Sequence, residues 1–208
     1  MWNSSENQVM LVFIRHGETQ ANKERRYLGK KDENLLESGK EVLLSYKEQN
    51  IYPAVEYLFT SPMKRCVETA NILYPELCPI VIPEWEEIDF GRFENKNYEE
   101  LKDDIQYQTW VDSGGVLDFP EGESREGFIL RCKRGFIRMC NEMSRIVEQD
   151  RNGAVWVGSV VHGGTIMALL NLYGEKQYFD YQVLNGRGYV CNMTGWGNSV
   201  QIKEITKI

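Results

Sequence analysis

The stretch LVFIRHGETQAN, Leu11 to Asn22, sets four apolar residues directly before an abrupt polar turn. A short apolar run with β-branched Val12 and Ile14 reads as a buried strand. Arg15, His16 and Gly17 then stand where that strand leaves its sheet, which in α/β folds is where ligands bind. The 208-residue chain has two histidines, and the second repeats the arrangement. In VWVGSVVHGGTI, residues 155–166, His162 follows an apolar strand and precedes glycines that open a helix. A further strand, VEYLFT at 55–60, ends in Ser61-Pro62 and delivers Arg65 into the first turn of a helix. If these strands are parallel in one sheet, their carboxyl ends line one crevice. Two arginines, two histidines and a helix N-terminus with free amides would make a dianion site there.

Working outward, strands and helices alternate along the chain. Ser38 to Gln49 has helical composition, and Ser61-Pro62 reads as an N-cap and first helical residue opening a helix through about Leu73. PIVIP, Pro79 to Pro83, reads as a short strand closed on both sides by proline. After Ser124, apolar residues recur at spacings of three and four from Phe128 through Cys132, Phe136, Met139 and Met143 to Ile146, with Gly153 as a stop. Ala154–Val161 reads as a strand, Thr165–Leu172 as a helix, and the segment from Arg187 as two strands around Thr194-Gly195. This alternation predicts a three-layer α/β/α fold, Rossmann-like, with a mostly parallel central sheet. One domain over residues 1–208 is expected, with the irregular acidic stretch at about 84–123 inserted over the sheet.

Composition excludes several classes. Hydrophobic residues make up 42% and charged residues 26%, an ordinary globular balance. The formal net charge of -7 argues against broad nucleic-acid binding, and no apolar run reaches the length of a membrane span. Five cysteines without a C-x-x-C pair suggest free thiols in a reducing cytoplasm. Two nucleotide motifs fail: Asn34 and Glu41 break a P-loop ending in Ser38-Gly39-Lys40, and Cys191 breaks a dinucleotide fingerprint begun by Gly186-Arg187-Gly188.

Five stretches carry more than local structure. They are RHGET at 15–19 with Asn22 behind it, the spaced residues Gly29, Asp32, Leu35 and Gly39, SPMKRCVETA at 61–70, EEIDFGRFE at 86–94, and VVHGGTI at 160–166. In order and over nearly the whole chain, they resemble the signatures of the histidine phosphatase (phosphoglycerate mutase-like) superfamily. Three positions depart from its pattern. Asn34 replaces a proline, Leu36 replaces a capping Thr or Ser at a cost of about 1 kcal/mol, and Cys66 replaces an alanine as a small core thiol.

The resemblance implies the phosphoglycerate mutase-like fold and a set of roles. His16 would attack phosphorus and carry the phosphoryl group, Arg15 and Arg65 would hold its oxygens, and His162 would donate a hydrogen bond to it. Glu87 would protonate the leaving alcohol, with Glu84 and Glu86 raising its pKa by like-charge repulsion. Asn22, Thr19 and Gly163 would complete the substrate site. Neither metal nor cofactor is expected, because arginines and helix amides supply the positive charge. The expected partner is a small phosphomonoester, without nucleic acid or membrane, and a homodimer is the assembly left open. Mutases of the family carry a tyrosine after the catalytic glutamate and paired arginines for the substrate carboxylate. Here Phe90 occupies the tyrosine position, and no adjacent arginines occur between Arg92 and Arg125. FGRFE with the later PEGES, 120–124, resembles α-ribazole phosphatases, so hydrolysis, with α-ribazole phosphate as substrate, is expected. A cofactor-dependent phosphoglycerate mutase is the alternative. A non-catalytic phospho-ligand binder is the remote one, since it would not need the proton donor.

Overall fold

Strand β1 (Val9–Arg15) organises the molecule, because its alternate side chains enter two different cores. The computed structural model describes residues 8–147, 153–195 and 199–208. Val9, Leu11 and Phe13 pack into one apolar cluster, and Val12 and Ile14 into another on the opposite face. A strand buried on both faces has no polar side to show, which explains the unbroken apolar run.

Five more strands complete the sheet: β2 (Tyr57–Thr60), β3 (Ile80–Val81), β4 (Val155–Val161), β5 (Gly188–Thr194) and β6 (Gln201–Lys207). Their order is β3-β2-β4-β1-β5-β6. The pairs β3–β2, β2–β4 and β4–β1 are parallel, and β5 runs antiparallel to both β1 and β6. The sheet is therefore mostly parallel, as the alternation predicts.

Seven α-helices are described: α1 (Gln20–Lys23), α2 (Glu37–Glu48), α3 (Lys64–Leu73), α4 (Tyr98–Leu101), α5 (Ile105–Asp112), α6 (Arg125–Ile146) and α7 (Gly163–Tyr173). Residues of α6 and α7, among them Phe128, Phe136 and Leu169, join the cluster of Leu11 and Phe13. Leu43 of α2 and Cys66 and Ala70 of α3 join that of Val12 and Ile14. The helices thus cover both faces. None of the described helices is long and apolar enough to cross a membrane.

Several boundaries differ from the sequence expectation. Helix α3 starts at Lys64 with Met63 as N-cap, not at Ser61-Pro62. The Ser61 hydroxyl accepts from the Met63 amide at 3.3 Å, but it also lies 2.8 Å from His162 Nε2, which holds Ser61 in the crevice. Helix α6, capped at 3.0 Å by the Ser124 hydroxyl on the Gly127 amide, ends at Ile146. Buried Val147 turns extended there, so Gly153 is not the stop, and its φ of +101° instead turns the chain into β4. Within the acidic stretch, α4 and α5 add regular structure around an apolar cluster of Phe93, Leu101 and Tyr107, flanked by Tyr27, Trp110 and Phe119. As expected, Leu36 begins α2 without a side-chain cap.

Candidate active site

Parallel pairing sets the site. Arg15 stands opposite Val161 in the β1–β4 register, so the next residues, His16 and His162, leave adjacent strands at the same level. Their rings meet edge to face with centroids 5.2 Å apart. Thr60 pairs with Val160, which brings Ser61 beside them.

Hydrogen bonds fix the ring tautomers. His16 Nδ1 lies 2.7 Å from the Gly17 carbonyl oxygen, which can only accept. Nδ1 therefore carries the proton, and Nε2 keeps its lone pair. In His162 the assignment reverses: Arg65 Nε donates to Nδ1 at 3.4 Å, so Nε2 donates to the Ser61 hydroxyl at 2.8 Å. Burial first, then the positive charges of Arg65 and Arg15, hold the His16 pKa well below its ordinary value. Burial and the Arg65 charge do the same to His162. Both imidazoles are neutral at pH 7.

The arginines are anchored by backbone carbonyls. Arg15 Nη1 donates to Val183 O at 2.8 Å, while its Nε is buried without a partner. Arg65, fully buried in α3, donates from Nη1 to Lys31 O and from Nη2 to Gly29 O, each at 2.9 Å. Each Nη retains a second N–H, so both guanidiniums can still grip an anion.

Glu87, 8% exposed, accepts from the Ile88 amide at 3.0 Å and the Gly164 amide at 3.4 Å. Burial raises its pKa against the opposing pull of those amides and of Arg65 and Arg15. This corrects the like-charge explanation: Glu84 turns away to an ion pair with Arg138 at 2.7 Å. Cys66 Sγ lies 3.6 Å from His162 Nε2, and burial pushes the thiol up to about 12, so it stays protonated.

The remaining expected residues divide. Gly163 lines a cavity of about 580 Å³ together with Arg15 and Glu87. Asn22 lines a second cavity, of about 370 Å³, which shares Arg15 and Tyr27 with the first. Thr19 is fully buried and forms a capping box with Asn22 at the start of α1, so it supports Asn22 rather than the cavity wall.

Asn185 is absent from the sequence reading, although its side-chain amide donates to His16 O at 3.0 Å, Gly17 O at 3.3 Å and Asn22 Oδ1 at 3.0 Å. The only local signal was an Asn-Gly dipeptide, which reads as a turn, and Gly186 does adopt a positive φ of 71°. Thr69 stands inside the SPMKRCVETA stretch, but the sequence reading assigns it no role there. It accepts from the Gly17 amide at 2.9 Å and donates to Arg65 O at 2.7 Å, tying the first strand's exit to α3.

A family model described as "Histidine phosphatase superfamily (branch 1)" matches residues 11–203. The "Probable phosphoglycerate mutase GpmB" of Enterobacter sp. (strain 638) is 28% identical over 127 residues, 59% of this chain and 59% of that protein. "Phosphoserine phosphatase 1" of Hydrogenobacter thermophilus is 29% identical over 133 residues, 62% of this chain and 63% of that protein. The chain spans about three fifths of the length of these curated relatives. Among solved structures, the α-ribazole phosphatase of Shigella flexneri superposes with a TM-score of 0.73 at 22% identity, covering 95% of this chain and 96% of that one. A phosphoglycerate mutase of Thermus thermophilus superposes with a TM-score of 0.66 at 24% identity, covering 96% and 99%. At these identities the likeness is one of fold, and that fold is the phosphoglycerate mutase-like one.

Proposed function

Since the chain belongs to the histidine phosphatase superfamily, branch 1, we propose that it hydrolyses a small phosphomonoester through a phosphohistidine on His16. α-Ribazole phosphate, the ester of an uncharged aromatic nucleoside, is one metabolite of that class. The observation that carries the reading is Glu87: a buried carboxyl with a raised pKa, beside the exit of the strand that bears a neutral His16. A phosphate binder has no use for such a proton donor.

Charge balance supports the same chemistry. When Glu87 holds its proton, two neutral imidazoles and two guanidiniums give the crevice a charge of about +2, matched to a phosphomonoester dianion. In the first step His16 Nε2 uses its lone pair to attack phosphorus, and the ester P–O bond breaks. Glu87 gives its proton to the departing alkoxide. In the second step the carboxylate takes a proton from water, the hydroxide oxygen bonds to phosphorus, and the P–N bond returns its electrons to His16. Arg15 and Arg65 hold the equatorial oxygens throughout, as their planar forks suit. To donate to the phosphoryl group as well, His162 must release Ser61. Arginines supply the positive charge, so turnover should persist in EDTA.

Hydrolysis is favoured over mutase transfer by what surrounds the site. A mutase needs paired cations to hold the substrate carboxylate and to keep the phosphoenzyme from water. The adjacent pair on the second cavity, Arg25-Arg26, does not serve: Arg26 is spent on Glu24, Glu100 and the Asn95 carbonyl. The unpaired cysteines fit our placing of the protein in the cytoplasm. The test supplies 3-phosphoglycerate with catalytic bisphosphoglycerate in EDTA and compares inorganic phosphate with isomerised product. Phosphate release should exceed isomerisation. Rapid cofactor-stimulated isomerisation with little phosphate released would make the protein a mutase.

A substitution that displaces Glu87 without touching it tests the donor's position. A Cβ on Gly164 would lie 2.4 Å from Glu87 Oε1, so Gly164→Ala must push the carboxyl aside. Misplacing a reacting group by about 1 Å costs on the order of 10²-fold. Gly164→Ala should therefore cut alkyl phosphate turnover by ~10²-fold, and aryl phosphate turnover much less. Steady-state kinetics on both, with a thermal melt for folding, decides it.

A further inference from the structure

The cavity of about 580 Å³ beside Arg15 and Glu87 is far larger than a phosphoryl group needs, and six of its lining residues are aromatic. We propose that it binds the alcohol portion of the substrate, and that this portion is a planar aromatic group bearing an anion, seated among Trp110, Phe119 and Phe179 with the anion on Arg125. This deepens the hydrolase reading and rests on it, and it departs from α-ribazole phosphate, whose alcohol carries no anion.

Size comes first. A volume of this order suits a drug-sized ligand, whereas a three-carbon phosphoester would leave most of it filled with water. Because Arg15 and Glu87 line the same cavity, an ester whose phosphate they hold must extend its leaving group into it.

The wall then selects the chemistry. Phe90 and Phe119 meet edge to face with centroids 5.0 Å apart, and Trp110 lies 5.1 Å from Phe119, so the rings brace one another. Gly115 brings the two sides together: a Cβ built there would lie 3.2 Å from Trp110 and 3.6 Å from Phe179. A ligand ring gains edge or stacking contacts from such a wall beyond the area it buries.

One charged group of the wall has no ionic partner. The Arg125 guanidinium lies over Tyr178 at 4.5 Å and over Phe179 at 4.6 Å. Among the described residues no carboxylate pairs with it. A stacked guanidinium keeps its N–H edge free for a carboxylate or phosphate. An alkyl chain would leave Arg125 unpaired; an aromatic acid pairs with it and stacks on the wall.

The experiment uses three esters with alkyl leaving oxygens, so that leaving-group reactivity stays constant: ethyl phosphate, 2-naphthylmethyl phosphate, and its ring-carboxylated analogue. The naphthyl ester should exceed ethyl phosphate in kcat/KM by ~10²-fold, and the carboxylate should add ~10-fold. Phe179→Ala should shrink the first increment and Arg125→Gln the second, with circular dichroism to verify folding. Equal kcat/KM for all three esters would overturn the proposal and leave the hydrolase reading standing. If none is hydrolysed, calorimetry with carboxynaphthylmethanol separates the two ideas. Binding that is lost in Arg125→Gln supports the cavity assignment while the hydrolase reading fails, and no binding overturns the assignment as well.

Discussion

Replacing His16 by alanine should lower phosphate release from every phosphomonoester by at least about 10⁴-fold, the scale of deleting a covalent nucleophile. No neighbour can take over. Both His162 nitrogens are engaged, by Arg65 and by Ser61. Glu87 is held by the amides of Ile88 and Gly164 and has to give up its proton, not attack. The Cys66 thiol is buried and stays protonated. A radiolabelled substrate quenched into alkaline denaturant, where phosphohistidine survives, should leave label on the peptide carrying His16. Label on another residue, or turnover surviving in His16→Ala, would sink the assignment. His16→Asn, closer in size, should match the alanine variant in activity while melting nearer the wild type.

Glu87→Gln should slow an alkyl phosphate by roughly 10²- to 10⁴-fold, the range for removing a general acid. The same change should slow p-nitrophenyl phosphate by less than ~10-fold, because its leaving group departs with little need of a proton. Glutamine keeps one acceptor oxygen, for the Gly164 amide, and loses the one that faces the Ile88 amide, so a thermal melt accompanies the comparison. The pH profile gives a second readout. The raised pKa keeps Glu87 protonated above the usual carboxylate range, and the acid is lost as pH rises through that raised value. The lowered pKa of His16 keeps the nucleophile unprotonated well below pH 6.5. Activity on an alkyl phosphate should thus peak on the acid side and fall toward alkaline pH, and Glu87→Gln should abolish the alkaline fall. An equal loss on both substrates, with the fall retained, would make Glu87 a structural residue.

The parts of this site that the chain announces locally are those at strand exits. Apolar runs before His16 and His162 encode both the strands and their burial, and parallel pairing then has one way to align the two histidines. Positions set by tertiary partners were not legible. Ser61 looks like a helix cap until His162, 101 residues away, is seen to share its hydroxyl. Asn185 looks like a turn residue until the His16 and Gly17 carbonyls are found beside it. The neighbours of Glu87 in sequence suggested repulsion as the source of its pKa, but burial does that work, and burial is a property of the packed core. Likewise, nothing local places Trp110 and Phe179 on either side of Gly115, where a Cβ would touch both rings.

The placing of β1 between β4 and β5 has a consequence for biosynthesis. Val9 pairs with Val155 and Met193, so the nucleophile's strand is made first and partnered among the last. At 5–20 residues per second, the 146 positions from Val9 to Val155 take about 7 to 30 s to synthesise. Throughout that interval the LVFI segment is an apolar strand with two open edges, the kind of segment that nascent-chain chaperones shield and that aggregates when they are scarce. A chain released before β4 would therefore be both inert and sticky. Expression at lower temperature, which slows synthesis but weakens apolar association, should raise the soluble yield of the full-length protein.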